Sequence, residues 1–299
     1  MQYKVATYNV GLLKILWHEA VPLAFSRSDL LVSRLPAIAA EQGIEIFALQ
    51  EVWTAKDRKR FKIAFEKNGY ASVETPRKGW LGTGLLLFVH HSIEILEENF
   101  HPFKGATSWD RWVQKGMLSA RIRKPGTPTV AVINTHLQAL TTDRSRSARR
   151  LEIFVHNSQV QQLKTLVNHS NSPTILLGDF NVGPTSYASL FRKLLRRLGT
   201  RDVLTHVPHL KLPEFLTWDQ NNPLVQQGHL ADEKSARLDH CMVRPSADWD
   251  WHVAEASLQF DAPHPELRIR GQTTPLSDHF AVVVRLELLA RTALNIVHA

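Results

Sequence analysis

Apolar, β-rich runs alternate with amphipathic stretches along the chain, and that alternation leaves little choice of architecture. Tyr3 to Val10 is followed by an amphipathic segment at Asp29 to Gln42, then by Ile44 to Leu49, then by Ala55 to Lys67. The hydrophobic period thus switches between about 2 and about 3.6 residues, the signature of strand and helix in turn. Elements of that kind stack in layers, because each has an apolar face to bury. Ser28 and Gly43 stand where the first helix would start and stop, and Thr54 and Gly69 do so for the second. Further strands are expected at Gly84 to Val89, Thr129 to Asn134, Thr174 to Leu177 and Phe280 to Leu286. Helices are expected at Ser145 to Val167 and at Pro184 to Leu198, the latter with proline at its start and Gly199 beyond its end. No linker interrupts the pattern, so residues 1–288 read as one domain and 289–299 as a C-terminal tail. The proline-containing stretch Asp261 to Pro275 reads as a loop over a functional edge.

Composition narrows the classes. With 299 residues, 43% of them hydrophobic and 21% charged, the chain can bury a large core and is neither disordered nor fibrous. Cys241 is the one cysteine, which rules out a disulfide within the chain. No apolar run reaches the roughly 18 residues of a membrane span, and Met1 to Thr7 alternates like a strand rather than forming a leader's apolar block. The expectation is a soluble protein, cytoplasmic or peripheral to a membrane. A net charge of +8 and a pI near 9.7 favour a polyanionic partner, nucleic acid or an acidic lipid surface, without choosing between them.

The polar residues fall at strand ends. The run at Val5 ends in Asn9, that at Ile46 in Gln50 and Glu51, that at Val130 in Thr135 and His136, and that at Ile175 in Asp179 and Asn181. Arg237 Leu238 Asp239 His240 and Ser277 Asp278 His279 precede two more. One polar strand end is ordinarily a cap or turn, but six sets can meet at one edge of a layered fold. Phosphoester hydrolysis needs a divalent cation on hard oxygens, a base for water, and donors for the charge that develops. Glu51 suits magnesium, His279 suits the base, and one cysteine with unpaired histidines argues against structural zinc.

At these residues the chain resembles the magnesium-dependent endonuclease/exonuclease/phosphatase superfamily over Val5 to about Leu288. The resemblance implies a four-layer α/β sandwich, two central mixed β-sheets flanked by helices, with the active site at one edge. It implies that Asn9 and Glu51 hold the metal, aided by Asp278, and that Gly178 Asp179 Phe180 Asn181 is a turn in which Asp179 orients the nucleophile and Asn181 contacts phosphate. It further implies that His136 stabilises the transition state and that Asp239 partners the base His279. The metal implied is Mg²⁺, with Mn²⁺ or Co²⁺ as substitutes.

Finer matches resemble the neutral sphingomyelinase branch: Lys115 Gly116 Met117 Leu118, Asn134 to Ala139, Thr217 Trp218 Asp219, and Ser235 to His240. They imply substrate contacts at Lys115, Gln138 and Trp218, for which a solvated lysine, a surface glutamine and a core tryptophan are the alternatives. The branch implies hydrolysis of sphingomyelin to ceramide and phosphocholine at a membrane surface, with no obligate protein partner. A Mg²⁺-dependent nuclease acting on DNA, another phosphoesterase of this fold, and a silent membrane-binding module are the competing readings. The chain departs from the family at His90 His91 Ser92, where a Ser-Arg or similar polar pair is usual. Arg144, Arg146, Arg149 and Arg150 suit anionic headgroups, DNA phosphates or a solvated helix start. Trp249 and Trp251 suit a bilayer interface or the core.

Overall fold

The computed structural model describes residues 1–15, 18–73, 81–141, 145–206, 215–228 and 231–291. Two six-stranded sheets lie at its centre. The first is ordered Trp249–Gln259, Ala281–Ala290, Gln2–Asn9, Ile46–Val52, Gly84–His90, Tyr70–Val73. The second is ordered Arg201–Asp202, Asp239–Arg244, Thr174–Asp179, Val130–His136, Gly116–Arg123, Glu94–Pro102. Each is antiparallel except for one central parallel pair, Gln2–Asn9 with Ile46–Val52 and Val130–His136 with Thr174–Asp179.

The alternation within each strand sorts side chains between separate cores. Ile46 and Ala48 join Leu85 and Leu87, Val130 and Val132, and Ile175 and Leu177 between the sheets. Their neighbours Phe47, Leu49, Leu86 and Phe88 turn outward onto the helices Ala24–Glu41 and Ala55–Glu66. Ile133 and Leu176 turn the opposite way, onto Arg146–His169 and Ala188–Leu198. Helix, sheet, sheet, helix is the four-layer sandwich expected, and it explains why the central strands read as unbroken apolar runs: both faces of each are covered.

The helix termini show where local signals prevail. Thr54 caps its helix by accepting from the Asp57 amide at 3.1 Å, Ser145 caps the long helix through the Ala148 amide, and Gly43 and Gly199 take the left-handed backbone at helix ends. Ser28 does not cap. The first helix begins at Ala24, five residues early, and Ser28 is buried within it, donating to Asp57 at 2.6 Å. The helix expected from Pro184 starts instead at Ala188. The stretch read as a loop from Asp261 contains a hairpin, His264–Ile269 with Gln272–Thr274. Trp251 is buried and Trp249 half-buried against the inter-sheet core. Arg144, and residues 292–299 of the expected tail, lie outside the described residues; the last strand itself runs to Ala290.

Candidate active site

Strand direction gathers the polar residues. Parallel strands deliver their C-terminal ends to one edge: Asn9, Glu51, His136 and Asp179. Their antiparallel neighbours begin at that same edge, so Lys115, Asp239 and Ser277 to His279 arrive there at or just before a strand start. The register sets Asp179 opposite both His136 and Asp239. The two sheets meet where the Asn9 amide donates to Asp179 Oδ2 at 2.9 Å.

Below this edge the sheets are joined by buried amides. Asn134 donates to the carbonyls of Leu49 and Leu86, at 3.0 and 2.8 Å, and accepts from Gln50 at 2.8 Å. Those carbonyls flank a register shift between Leu49 and Val52, which gains one residue over the facing strand. Glu51 falls in the shift with φ 64°, a strained conformation for a side-chain-bearing residue, and is turned toward Asn9. The Asn9 amide donates to Glu51 at 3.2 Å. Asp278 lies over Gly11, where an added Cβ would sit 2.3 Å from its Oδ1. Arg27 is fully buried behind them, donating to the carbonyls of Val10, Gly11 and Leu276 and so fixing both loops.

Burial, and then the charge of Asp278, raises the pKa of Glu51 above the ordinary carboxylate range. A hard divalent cation relieves both effects, and the donors available (a carboxamide and two carboxylates) are all oxygen, so these residues fit such an ion.

On the other side, His279 Nδ1 faces Asp239 Oδ2 at 2.8 Å while its Nε2 lies 4.0 Å from Asp179 Oδ2. One ligand-type atom from each of these three residues falls within 4.8 Å of the others. Burial opposes the imidazolium, yet Asp239, Asp278 and Asp179 push the pKa of His279 up to about 10. Thr217 Oγ1 accepts from the Leu238 and Asp239 amides and fixes the carboxylate's backbone. The pKa of Asp179 is pushed up by burial and by Asp239. Gly178 is obligatory before it, since at φ 150° a Cβ would meet the Thr135 carbonyl at 2.0 Å. Asn181, at φ 54°, donates its backbone amide to Asp179 Oδ1 and its side-chain amide to the Leu137 carbonyl.

His136, expected to stabilise the transition state, carries no charge of its own. Burial, Lys115 and His279 hold its pKa well below the usual value, so it is neutral and its Nε2 accepts from Lys115 Nζ at 3.0 Å. Positive charge at this corner therefore resides on Lys115, which also pairs with Asp110 at 2.9 Å.

Asn9, Glu51, His136, Asp179, Asn181, Asp239, Asp278, His279 and Lys115 are thus drawn into one cluster. The Gln138 side chain is not, and among the described residues no hydrogen bond or ring contact joins the Trp218 side chain to the cluster. Gln138 is buried and binds the backbone of Thr107, while Trp218 is buried in backbone bridges to Ala236 and His279. His90 bonds Ser92, and His91 is exposed. Sequence reasoning missed Arg27 and Asp110. A carboxylate five residues before Lys115, set between two tryptophans, was the available sign of the latter; Arg27 left none, being one arginine in an ordinary helical pattern.

The family model described as "Endonuclease/Exonuclease/phosphatase family" matches residues 6–279. The chain belongs to this family. Human sphingomyelin phosphodiesterase 2 is 21% identical over 271 residues, 85% of this chain and 59% of that protein, so the chain spans about three fifths of that curated relative. The Staphylococcus aureus beta toxin, solved with bound magnesium ions, matches with TM-score 0.71 and 18% identity over 95% of this chain and 99% of that one. D. rerio TDP2 complexed with a single-strand DNA product matches with TM-score 0.65 and 15% identity, over 96% and 99% of the two chains. At such identities the structural matches establish the shared family fold.

Proposed function

We propose that this member of the endonuclease/exonuclease/phosphatase family is a Mg²⁺-dependent phosphodiesterase that hydrolyses sphingomyelin to ceramide and phosphocholine. The observation that carries the hydrolytic reading is the facing of a His279–Asp239 pair and Asp179 against Glu51 and Asp278 at one sheet edge. In its neutral form, which a cation held by Glu51 and Asp278 would favour by offsetting the carboxylates that raise its pKa, His279, oriented by Asp239 through Nδ1, takes the proton of a water that bonds both its Nε2 and Asp179 across their 4.0 Å separation. The deprotonated oxygen attacks phosphorus as the phosphorus–ceramide oxygen bond breaks; the ceramide oxygen leaves with the bond's electron pair and takes a proton from solvent, and His279 returns the water's proton to solvent. Asn181 and the Lys115 ammonium beside His136 meet the charge that develops on the phosphoryl oxygens. A divalent cation held by Glu51, with Asn9 and Asp278, would supply Lewis-acid polarisation of the phosphate when bound.

The lipid substrate is supported by the segment Lys115 to Leu118, whose lysine reaches the cluster, and by the likeness to a sphingomyelin phosphodiesterase. The charge of +8 and the DNA-bound structural relative favour the second reading, a nuclease. Phosphocholine release from sphingomyelin in detergent micelles, measured beside nicking of supercoiled DNA with and without Mg²⁺, separates the two. Phosphocholine release that disappears with chelator and in Glu51→Gln is expected. Efficient nicking without phosphocholine release would replace the lipid reading by the nuclease.

A further inference from the structure

Four large apolar side chains stand exposed together beside the cluster. Trp109 and Trp112, on the short 3-10 helix Ser108–Trp112, are 66% and 65% exposed. Leu151 and Phe154, three residues apart and so on one face of the long helix, are 50% and 70% exposed. The two elements are joined: Ser108 donates to Glu152 at 2.8 Å, and Gln159 and Gln162 of the same helix donate to the carbonyls of Gly105 and Lys104. Trp251 is withdrawn into the core and Trp249 is half-buried against it, and the hairpin 264–274 presents Glu266, Arg268 and Arg270 instead.

The charge around these side chains is one-sided. Arg146 and Arg150 are exposed near the start of the long helix, whose first turn carries no acidic residue, although the helix dipole disfavours cations there; Glu152 in the next turn is buried and bonded to Ser108. Arg111 lies over the Trp112 ring, 5.1 Å from its centroid. None of Arg111, Arg146 and Arg150 has a carboxylate in ion-pair range among the described residues. Exposed tryptophan, phenylalanine and leucine ringed by unpaired arginine are complementary to a bilayer surface: the rings enter the headgroup boundary and the guanidinium groups meet anionic phosphates.

We propose that Trp109, Trp112, Leu151 and Phe154, with Arg111, Arg146 and Arg150, form the face by which the protein docks on membranes containing anionic phospholipid. The inference rests on the phospholipid reading and goes beyond it by assigning the docking surface. Asp110, between the two tryptophans, pairs with Lys115 and accepts from the Ala139 amide, so the turn that enters the headgroups is the one that holds a cluster residue.

Co-sedimentation with sphingomyelin-free vesicles tests it, using phosphatidylcholine alone and phosphatidylcholine mixed with phosphatidylserine. The whole chain is expected to bind the mixed vesicles more tightly, and less so in high salt. Trp109→Ala with Trp112→Ala should weaken binding at least about tenfold on both compositions, and Arg146→Gln with Arg150→Gln should remove most of the phosphatidylserine and salt dependence, by roughly tenfold. Turnover of a soluble chromogenic phosphodiester should be unchanged in each variant, which also shows that the variants are folded. Variants that bind vesicles like the parent protein, a parent protein that binds neither composition, or substitutions that dissociate a dimer without altering vesicle binding would each overturn the docking face. A protein that docks as described but releases no phosphocholine from micelles overturns the substrate reading alone.

Discussion

His279 and Asp239 share the shortest contact among the groups proposed to handle protons, and their unequal roles can be separated. His279→Ala removes the base and should lower kcat by more than about a hundredfold, since general-base catalysis contributes roughly 10² to 10⁴. Asp239→Asn keeps the ring in place but withdraws the carboxylate charge, so a smaller loss is expected. Steady-state kinetics on both variants, with circular dichroism to confirm folding, decides the matter. Equal kcat in variants and parent would remove the pair from the chemistry. His136 is a different case, because its neutrality is imposed by burial and by Lys115. Substituting Lys115 therefore alters two groups together, and its effect should not be assigned to the ammonium alone.

At the scale of elements, the helix Ala55–Glu66 is held at its first turn by Asp57. That carboxylate accepts from Ser28 and Thr54 and pairs with Lys14 at 2.7 Å, all nearly buried. Burial raises its pKa, but the bonds from Lys14, Ser28 and Thr54 outweigh this and leave it below the ordinary carboxylate value. Because the folded state prefers the ionised form, the stabilisation is present above the unfolded pKa near about 4 and is lost as pH falls through the folded value. Asp57→Asn should cost on the order of 3 kcal/mol at neutral pH, as expected for breaking a buried pair. Thermal melts of the variant and parent should converge as pH is lowered from 7 toward 3. A constant gap across that range would show that shape rather than charge matters at this position. The same residue explains the misplaced helix start: Ser28 forgoes capping because Asp57, from a neighbouring helix, accepts its hydroxyl.

For the whole molecule, the bond between the two sheets decides whether the site is held together. Asn9 and Glu51 belong to one sheet, His136, Asp179 and Asp239 to the other, and the Asn134 amide spans the gap just beneath them. Asn134→Ala would leave the Leu49 and Leu86 carbonyls and the Gln50 amide short of a buried partner, at a cost on the order of 3 kcal/mol. Urea denaturation is expected to show a lowered midpoint, with activity falling further than stability alone accounts for because Glu51 follows Gln50. An unmoved midpoint would mean that the apolar inter-sheet core suffices by itself.

The central strands and their flanking helices, the covered sheets, and nine residues of the cluster were legible in the chain, because short-range periodicity reports burial and because strand ends are where polar groups interrupt it; the strands Tyr70–Val73, Glu94–Pro102 and Gly116–Arg123 were not. Position within the cluster was not. Gln138 and Trp218 sit beside residues that join it, yet the Gln138 side chain turns to the Thr107 backbone 31 residues away, and Trp218 is buried where its backbone bridges His279, 61 residues away. Arg27 and Asp110 acquire their importance only through carbonyls and an ammonium supplied by other segments. Charge state likewise belongs to the folded molecule: the sequence names a histidine at 136 and another at 279, but burial beside Lys115 makes one neutral while three carboxylates hold a proton on the other. Local pattern determines which surfaces must be hidden; long-range packing alone determines which polar groups face one another once they are.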